Sequence, residues 1–324
     1  MLILTAADLK RALPMPAAVA AVEEAFRLGE EDFQIPARST LPLKGSDAVY
    51  LMMPAHAPRA EALGTKLVGV FPSNPKAGFD LVQAFYLLFS ATDGRPLALM
   101  DGKYLTAIRT AATSAVATRI MARRGASRLG IFGTGTQAQF HLRAIPEVRP
   151  ITQALVCGLN PDDSEQFARM MADEFPFPID PASREDTARR ADVICTCTTS
   201  SCPVLAGKDL VPGTHINAIG AYQPHTRELD DDAVRQAWIV VDTMEGVMAE
   251  AGDVLIPLQN GALRKDQIAG TLSQVVRGEA PGRRLDRDIT VFKSVGFALE
   301  DLAAGFRAYE AARSSGLGTL VSGL

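Results

Sequence analysis

The chain has 324 residues, of which 47% are hydrophobic and 22% are charged, and its formal net charge at pH 7 is −4. This length suits two domains of unequal size, and the composition is typical of a soluble globular protein. The acidic balance argues against nucleic-acid or anionic-membrane partners, because neither attracts a negatively charged chain. No apolar run is long enough to span a bilayer, and no basic segment precedes the apolar start. We therefore expect a cytoplasmic protein.

The first third of the chain predicts two helices followed by a mostly antiparallel sheet. Thr5 and Asp8 have the spacing of a capping box before "AADLKRAL", and "AAVAAVEEAFRLGE" has apolar residues at helical spacing. The segments "AVYLMMPAHA", "GTKLVGVFP" and "LVQAFYLLFSATDGRPLALMDG" predict strands, with "TDGRP" as a hairpin turn. Because no helices separate these strands, they are expected to pair antiparallel.

A long helix and then a parallel sheet are predicted next. "LTAIRTAATSAVATRIMARRG" predicts one helix, capped by Thr106 and ended by Gly125, that connects two domains. From Arg128, strands and helices alternate through "LGIFG", "QAQFHLRAI", "QALVCGL", "SEQFARMMADEF" and "ADVICTCT", with later strands at "THINAIG" and "WIVVD". Such alternation indicates a doubly wound parallel sheet of the Rossmann type, so the fold class is α/β.

A glycine-rich turn predicts a dinucleotide site. "GIFGTGTQA" supplies Gly133, Gly135 and Ala138 as G-x-G-x-x-A between an apolar strand and a helix. Gly133 permits the tight turn, Gly135 lets the backbone approach a pyrophosphate, and Ala138 keeps helix and strand close. The phosphates would then lie on the amides of Thr136, Gln137 and Ala138 at the helix N-terminus.

The choice between NAD and NADP stays open. The discriminating residue should follow the second strand, which ends "VCGLNPDDSEQ". Gly158, Leu159 and Asn160 offer neither an acid for a ribose hydroxyl nor an arginine for a 2′-phosphate. Asn160 is nevertheless predicted to contact the cofactor from this strand end. Asp162 and Asp163 are interpreted as N-caps of the next helix.

The cysteines and histidines are given no catalytic or metal-binding role. Cys195 and Cys197 have C-x-C spacing, but they fall in a predicted buried strand with no histidine nearby, so no metal is expected. The four histidines are candidates for acid–base chemistry only by residue type. His141 is placed on the surface of the helix after the glycine turn.

Six segments in linked order resemble the ornithine cyclodeaminase/mu-crystallin family over nearly the whole chain. They are "KLVGVFPSNPKAG", "ALMDGKYLTAIRTAATSAVAT", "GIFGTGTQAQFHL", "INAIGAYQPHTRELD", "EAGDVLIP" and "FKSVGFALEDLAA". The resemblance implies a homodimer with a substrate-binding and dimerisation domain, an α+β unit built from residues 1–112 with 300–324. It assigns residues 113–299 to the Rossmann dinucleotide-binding domain, so that the early residues hold a small molecule against the nicotinamide.

Members of this family perform different reactions, and three positions favour one branch. The family's cyclodeaminases have an aspartate where this chain has Tyr222, a lysine where it has Thr226, and typically an acid where it has Lys293. A phenol offers no negative charge to the ammonium of ornithine at neutral pH. The resemblance is therefore to the ketimine-reductase branch.

Two cations, Lys66 and Arg109, are candidates for catalysis and substrate binding. On a strand, Lys66 shares a face with Val68 and Val70, and it is either a protective charge on an edge strand or a site residue whose pKa burial lowers. If Thr106 caps the long helix, Arg109 lies in its first turn and is either solvated or binds a carboxylate with the helix N-terminus. The resemblance favours the site alternative for both, and adds Arg38 as a second carboxylate contact.

The remaining site residues are cofactor contacts. Thr198 follows the fourth strand of the Rossmann sheet, where strand ends line the crevice. By resemblance, Thr110 contacts the cofactor, and Ser294 and Gly296 approach the nicotinamide. The resulting hypothesis is reduction of Δ1-pyrroline-2-carboxylate or Δ1-piperideine-2-carboxylate by NAD(P)H. Alanine dehydrogenase, ornithine cyclodeaminase and a non-catalytic mu-crystallin-like binding protein are the alternatives.

Overall fold

The protein is described by a computed structural model, which covers residues 1–323. The chain divides into two compact units: unit 1 is Met1–Thr110 with Ala298–Leu324, and unit 2 is Ala111–Phe297. Among the described residues, no helix combines the length and the apolar character needed to cross a membrane.

The helices and strands follow one another along both units. In chain order they are β1 (Leu2–Leu4), α1 (Ala6–Ala12), α2 (Met15–Leu28), β2 (Ser39–Pro42), β3 (Val49–Ala57), β4 (Ala62–Val70), β5 (Val82–Ser90), β6 (Pro96–Asp101), α3 (Gly102–Met121), β7 (Arg128–Phe132), α4 (Thr136–Ala144), β8 (Gln153–Cys157), α5 (Pro161–Met171), β9 (Ile179–Pro181), α6 (Arg184–Arg190), β10 (Val193–Thr196), β11 (His215–Ala218), α7 (Asp231–Arg235), β12 (Ala237–Val241), α8 (Met244–Glu250), α9 (Gly252–Gln259), β13 (Ile268–Thr271), α10 (Leu272–Val276), β14 (Ile289–Lys293), α11 (Ala298–Ser314) and β15 (Thr319–Leu320).

Unit 1 is built on a mixed, mostly antiparallel sheet, as predicted. The strand order is β15-β1-β6-β5-β4-β3-β2, and over the described residues of the unit only β1 and β6 pair in parallel. The hairpin between β5 and β6 contains the predicted "TDGRP" turn, and the Thr5–Asp8 capping box opens α1. Helix α11 packs on β3, β4 and β5 and also against α2. The sheet therefore has an inner face, turned towards α11, and an outer face.

Unit 2 contains the predicted doubly wound parallel sheet. Its order is β13-β12-β14-β11-β10-β7-β8-β9, and every pair is parallel. Apolar clusters that include Ile194, Ile216 and Val291 in one case, and Ile131, Val156 and Phe167 in the other, pack with the sheet. The strand order reverses between β7 and β10, and such a switch point is where ligands bind in open α/β sheets.

The long helix begins earlier than the sequence predicts. It starts at Gly102, where Asp101 accepts a hydrogen bond from the amide of Tyr104 at 2.7 Å. Only glycine fits at that point, because a Cβ on Gly102 would lie 2.7 Å from the backbone carbon of Ala84. The prediction that Thr106 caps the helix is wrong, and Arg109 therefore lies beyond the first turn. Its role cannot rest on the helix N-terminus.

The same helix ends before the predicted Gly125. Its last residue is Met121, and the guanidinium of Arg149 donates to the backbone carbonyls of Thr118 and Ala122 at 2.9 and 2.8 Å. The last carbonyls of a helix have no partner within the helix. A cation from a distant segment supplies those bonds here, so the glycine was not the signal that ended the helix.

Candidate active site

Four ionised side chains form a buried cluster inside unit 1. Nζ of Lys66 lies 2.7 Å from Oδ2 of Asp301, and Nε of Arg109 lies 2.9 Å from Oδ1 of the same carboxylate. Nη1 of Arg109 lies 2.6 Å from Oε2 of Glu300. Two positive and two negative charges balance, and this pairing allows four ionised groups to be buried together. We call these four residues the charge cluster.

Lys66 occupies an interior strand, so the alternative of a protective edge charge is wrong. Its side chain shares the inner face of β4 with Gly64 and Val68, and the residue is only 2% exposed. Burial, and then the positive charge of Arg109, lower the pKa of Lys66 to about 8, although Asp301 acts in the opposite direction. Lys66 can therefore exchange a proton close to neutral pH.

Arg109 is a buried and paired cation rather than a solvated one. Burial acts to lower the pKa of its guanidinium, but the charges of Asp301 and Glu300 outweigh burial and raise it. Both acids lie in the first turn of α11, where the helix dipole favours negative charge. Arg109, which the sequence analysis placed in the first turn of α3, is thus paired with two acids in the first turn of α11.

A tyrosine lies beside the charge cluster in a slot built by two glycines. Tyr86 is the cross-strand partner of Lys66, and it is fully buried. A Cβ on Gly64 would lie 1.8 Å from the Tyr86 hydroxyl, and one on Gly305 would lie 2.7 Å from its ring. Burial, and after it the charge of Asp301, raise the pKa of Tyr86, so the phenol stays neutral.

The two other candidates of unit 1 are placed as follows. Arg38 is half-buried and immediately precedes β2, the edge strand of the sheet. Thr110 follows Arg109 on α3 and is 6% exposed. Their contacts with a ligand remain predictions.

The glycine turn of unit 2 has the geometry that the sequence predicts. Gly133 has φ of +101°, and a Cβ there would lie 2.6 Å from the carbonyl oxygen of Cys197. Only glycine is therefore tolerated at this position. Ala138 is fully buried in the first turn of α4, which keeps helix and strand close.

Gly135 is different, because the fold itself leaves room for a side chain there. A Cβ on Gly135 would meet no atom within 4 Å, and both Gly135 and Thr136 are exposed. Gly135 is the N-cap residue of α4, and it has no side chain to accept bonds from the first-turn amides. An open surface beside the start of a helix fits the pyrophosphate of a dinucleotide. The residues present therefore fit an NAD(P) coenzyme.

Position 158, at the tip of β8, has no room for the acid that usually binds the coenzyme ribose. A Cβ on Gly158 would lie 2.9 Å from Cβ of Asp163, so a larger side chain would require α5 to move. Leu159 is 85% exposed, and Asn160 caps α5 by accepting from the amide of Asp163. The interpretation of Asp162 and Asp163 as N-caps is wrong, since both lie inside the first turn. The sequence took the acids for the cap because Asn160 was considered only as a coenzyme residue.

A buried glutamate that the sequence analysis missed organises the loops after β10 and β11. Glu228 is fully buried and accepts from the amide and hydroxyl of Thr198, both at 2.7 Å. It also accepts from the amides of Gly220 and Ala221 at 2.7 and 3.3 Å. Thr198 is thus held in place at the carboxyl end of β10, where the sequence predicted a cofactor contact.

A second missed acid holds the turn after β14. Asp242, at the end of β12, accepts from the hydroxyl of Ser294 and from the amides of Val295 and Gly296, each at 2.8 Å. Gly296 has φ of +88°, a conformation that favours glycine. One carboxylate therefore fixes the conformation of both residues that were predicted to approach the nicotinamide.

Lys293 has a structural partner inside unit 2. It is fully buried, its Nζ lies 2.9 Å from Oδ2 of Asp253, and it donates to the carbonyl of Ala221 at 2.5 Å. Asp253 in turn accepts from the amides of Glu228 and Leu229 at 2.7 and 2.9 Å. Lys293 therefore ties the loop after β11 to β14. Tyr222, which follows Ala221, is partly buried against the apolar core of this unit.

Two histidines are buried, and one of them corrects a prediction. His141 is fully buried, and its ring nitrogens lie 2.8 Å from Oγ of Ser114 and 2.8 Å from the carbonyl of Gln137. The placement of His141 on the helix surface is wrong, because the face of α4 that carries His141 packs against α3, where Ser114 lies. Burial lowers the pKa of His141 to about 4 and that of His215 to about 3. Both rings are neutral at physiological pH.

Comparison with known proteins identifies the family. The sequence model described as the ornithine cyclodeaminase/mu-crystallin family matches residues 1–316. The chain belongs to this family. The resemblance stated from six motifs is therefore confirmed over almost the full length.

Individual relatives are similar over most of their length. A Δ1-pyrroline-2-carboxylate reductase of Bacillus cereus is 37% identical over 285 residues, which are 87% of this chain and 87% of the relative. The solved Δ1-pyrroline-2-carboxylate reductase of Thermococcus litoralis, in complex with NADH and L-proline, has a TM-score of 0.96 at 38% identity and covers 99% and 100% of the two chains. An archaeal alanine dehydrogenase dimer with bound NAD has a TM-score of 0.93 at 33% identity and covers 100% and 99%. These likenesses confirm the α/β fold class.

Proposed function

We propose that the protein is an NADH- or NADPH-dependent reductase of a cyclic imino acid. The substrate is Δ1-pyrroline-2-carboxylate or Δ1-piperideine-2-carboxylate, and the product is L-proline or L-pipecolate. The observation that carries the proposal is the pairing of Lys66 and Arg109 on one buried carboxylate, because an ammonium beside a guanidinium suits a small acid. The names of the reductases of Bacillus cereus and Thermococcus litoralis support a cyclic imine.

The glycine turn is the proposed coenzyme site. The amides of Thr136, Gln137 and Ala138 would hold the pyrophosphate, and Gly135 provides the open surface on which it lies. When bound, the reduced nicotinamide supplies the hydride. The further coenzyme contacts that we propose are Thr110, Asn160, Thr198, Ser294 and Gly296. The complexes of two relatives with NADH and NAD support this class of coenzyme.

The proposed roles in unit 1 follow from charge. Arg109, with Arg38 as a second contact, binds the substrate carboxylate and orients the ring. Lys66 contacts the same carboxylate and holds a proton that keeps the imine nitrogen protonated. A protonated imine is the better hydride acceptor, because its carbon is more electrophilic. With the pKa of Lys66 near 8, the lysine is mostly protonated at neutral pH.

A substrate panel tests the proposed reaction. Oxidation of NADH and of NADPH would be followed with the two cyclic imines, with pyruvate plus ammonia, and with a range of other keto acids. We expect kcat/KM for a cyclic imine to exceed that for pyruvate plus ammonia by at least about tenfold, the discrimination that about 1.4 kcal/mol of extra transition-state binding provides.

Each other outcome of the panel favours a named alternative. Faster reaction with pyruvate and ammonia would make the protein an alanine dehydrogenase. Release of ammonia from ornithine with catalytic NAD would make it a cyclodeaminase. Tight coenzyme binding in calorimetry with no turnover on any substrate would leave a binding protein, and the reductase proposal would be wrong.

We also propose that the protein is a homodimer through the outer face of the unit 1 sheet. This face carries exposed large apolar side chains, of which Met52 is 39%, Leu63 38% and Phe85 58% exposed. Met52, Leu67 and Phe85 form one cross-strand row over β3, β4 and β5. A contiguous apolar surface of this kind marks an interface. The alanine dehydrogenase dimer among the relatives supports a second copy as the partner.

A charge at the centre of that row is expected to separate the dimer. Phe85→Asp places a carboxylate in an apolar contact, where an unpaired charge costs several kcal/mol. Light scattering coupled to size exclusion should give a dimer mass for the unchanged protein and a monomer mass for the variant. Met170→Asp is the matched control, because Met170 is 53% exposed on α5 of unit 2. A monomer mass for the unchanged protein, or a dimer mass for Phe85→Asp, would contradict the proposed interface.

A further inference from the structure

The two acids of the charge cluster are more fully enclosed than its two cations. The side chains of Glu300 and Asp301 are 0% exposed, whereas those of Lys66 and Arg109 keep 3% and 5%. A fully enclosed carboxylate offers no surface to a ligand, whereas each of the two cations keeps a small accessible fraction. The acids therefore act through the cations and not on the substrate itself.

Asp301 holds one cation on each of its two oxygens. Oδ2 takes Nζ of Lys66 at 2.7 Å, and Oδ1 takes Nε of Arg109 at 2.9 Å. The three side chains come from β4, α3 and α11, so no single element sets the distance between the ammonium and the guanidinium. A carboxylate bridge does set it, since its two oxygens lie a fixed distance apart. Charge-assisted bonds of this kind are short and directional.

Glu300 fixes the orientation of the guanidinium. Its Oε2 lies 2.6 Å from Nη1 of Arg109, while Asp301 takes Nε. Two acids on different nitrogens prevent the planar group from rotating. A guanidinium has five N–H donors, so pairing with two acids is compatible with donation to a ligand.

We propose that Asp301 is a positioning residue, which with Glu300 sets Lys66 and Arg109 at the spacing of a carboxylate-binding pair. The proposal rests on the proposed function for the identity of the ligand, a small imino acid whose carboxylate meets both cations. Around Lys66, the charged and titratable groups of unit 1 that face it are Arg109 from α3, Glu300 and Asp301 from α11, and Tyr86 from β5. Among these, the acids favour the protonated lysine and Arg109 opposes it.

Two substitutions at Asp301 separate charge from spacing. Asp301→Asn removes the charge and replaces one of the two oxygens by an NH2 group, which donates and therefore cannot accept from the cation on that side. We expect kcat/KM for the cyclic imine to fall about 100-fold, mainly through KM. The alkaline limb of its pH profile should move below the wild-type value, because Lys66 loses a stabilising anion. Asp301→Glu keeps all four charges and the same distance between the two oxygens, but its extra methylene displaces the carboxylate from its place between the two cations, so kcat/KM should fall while the alkaline limb stays in place.

Glu300→Gln and Asp8→Asn complete the series. Glu300→Gln should raise KM and should shift the alkaline limb of the pH profile less than Asp301→Asn does, since Glu300 contacts Arg109 and not Lys66. Asp8→Asn is the matched control in unit 1, because Asp8 is a partly exposed residue of the α1 capping box and makes no contact with the charge cluster. It should leave kcat, KM and the pH profile unchanged.

The outcomes distinguish this inference from the proposed function. If the unchanged protein reduces no cyclic imine, the proposed function fails, and the positioning role is then judged by nuclear magnetic resonance of 13C-labelled lysine. The Lys66 signal, assigned with Lys66→Arg, should titrate near pH 8 in the unchanged protein and at lower pH in Asp301→Asn. The same titration midpoint in both proteins, or wild-type kcat and KM in Asp301→Glu, would overturn the inference. If Asp301→Asn does not fold, the positioning role is tested with Asp301→Glu and Glu300→Gln.

Discussion

Replacement of Lys66 by methionine is expected to lower kcat/KM for a cyclic imino acid by about 1,000-fold, within the range that a positioned proton donor contributes. Methionine keeps much of the length of the lysine stem but has neither charge nor proton. It also leaves the two buried acids with Arg109 as their remaining cation, so the charge cluster becomes net negative. Both effects impair the reaction. The imine loses its proton donor, and the net negative cluster repels the substrate carboxylate.

The pH profile of the unchanged protein provides the second part of this prediction. Burial lowers the pKa of Lys66 to about 8, so the lysine is protonated below that pH and loses its proton above it. If the protonated form is required, kcat/KM is constant on the acid side of about pH 8 and falls as pH rises further. The acid-side plateau and the alkaline limb would be measured in steady state with either coenzyme at saturation.

Lys66→Arg is the control that separates charge from proton transfer. Arginine keeps a positive charge beside Asp301 but does not deprotonate in the working range. We expect the thermal stability of Lys66→Arg to be closer to that of the unchanged protein than the stability of Lys66→Met is. We also expect Lys66→Arg to lose most of its activity and to lack the alkaline limb near pH 8. An unchanged alkaline limb in Lys66→Arg would show that another group titrates there, and full activity in Lys66→Met would remove Lys66 from the mechanism.

Serine at position 135 is expected to weaken coenzyme binding at least about tenfold without weakening the fold. A Cβ at Gly135 meets no protein atom within 4 Å, so the fold accepts it. Serine is also a preferred N-cap residue, and its hydroxyl would accept from the first-turn amides of α4. Those amides are the proposed pyrophosphate contacts. A serine hydroxyl that caps the helix would therefore compete with the coenzyme for them. Fluorescence titration with NADH and thermal unfolding without coenzyme would measure the two effects.

Two other glycines serve as controls for this experiment. Gly133→Ala should lower stability by about 1–3 kcal/mol, because φ is +101° and the Cβ would lie 2.6 Å from the carbonyl oxygen of Cys197. Gly125→Ser, at another open glycine of unit 2, should change neither stability nor NADH affinity. Wild-type NADH affinity in Gly135→Ser would contradict the placement of the pyrophosphate on this turn.

The sequence predicted the sheets better than the ends of the helices. Alternating strands and helices indicated the parallel sheet, and helix-free strands indicated the antiparallel one, because each pattern is a local consequence of how neighbouring strands connect. The start of α3 was missed, since Asp101 was not recognised as the residue that accepts from the first-turn amide. The burial of His141 was missed because α4 places this polar residue on its inner face. There, Ser114 and the carbonyl of Gln137 provide hydrogen-bond partners for its two ring nitrogens.

The buried acids of unit 2 were also missed, for a similar reason. Glu228, Asp242 and Asp253 bind backbone amides and side chains of the loops at the carboxyl ends of the parallel strands. In the sequence they are ordinary acids next to turns. One signal was present: Glu228 and Asp253 lie within segments that resemble family motifs, but that resemblance does not say which groups the acids contact.

By itself the sequence determined the class of coenzyme turn, because every requirement of that turn is local: a strand, a glycine with positive φ, an open glycine and a helix start lie within a few residues. Tertiary structure alone decided what surrounds the two cations. Asp301 is 235 residues from Lys66 and 192 from Arg109, and no pattern in the intervening chain pairs them. Burial removes water from all four charges at once, and only the folded arrangement shows which acid neutralises which cation and how burial and charge together set the pKa of Lys66.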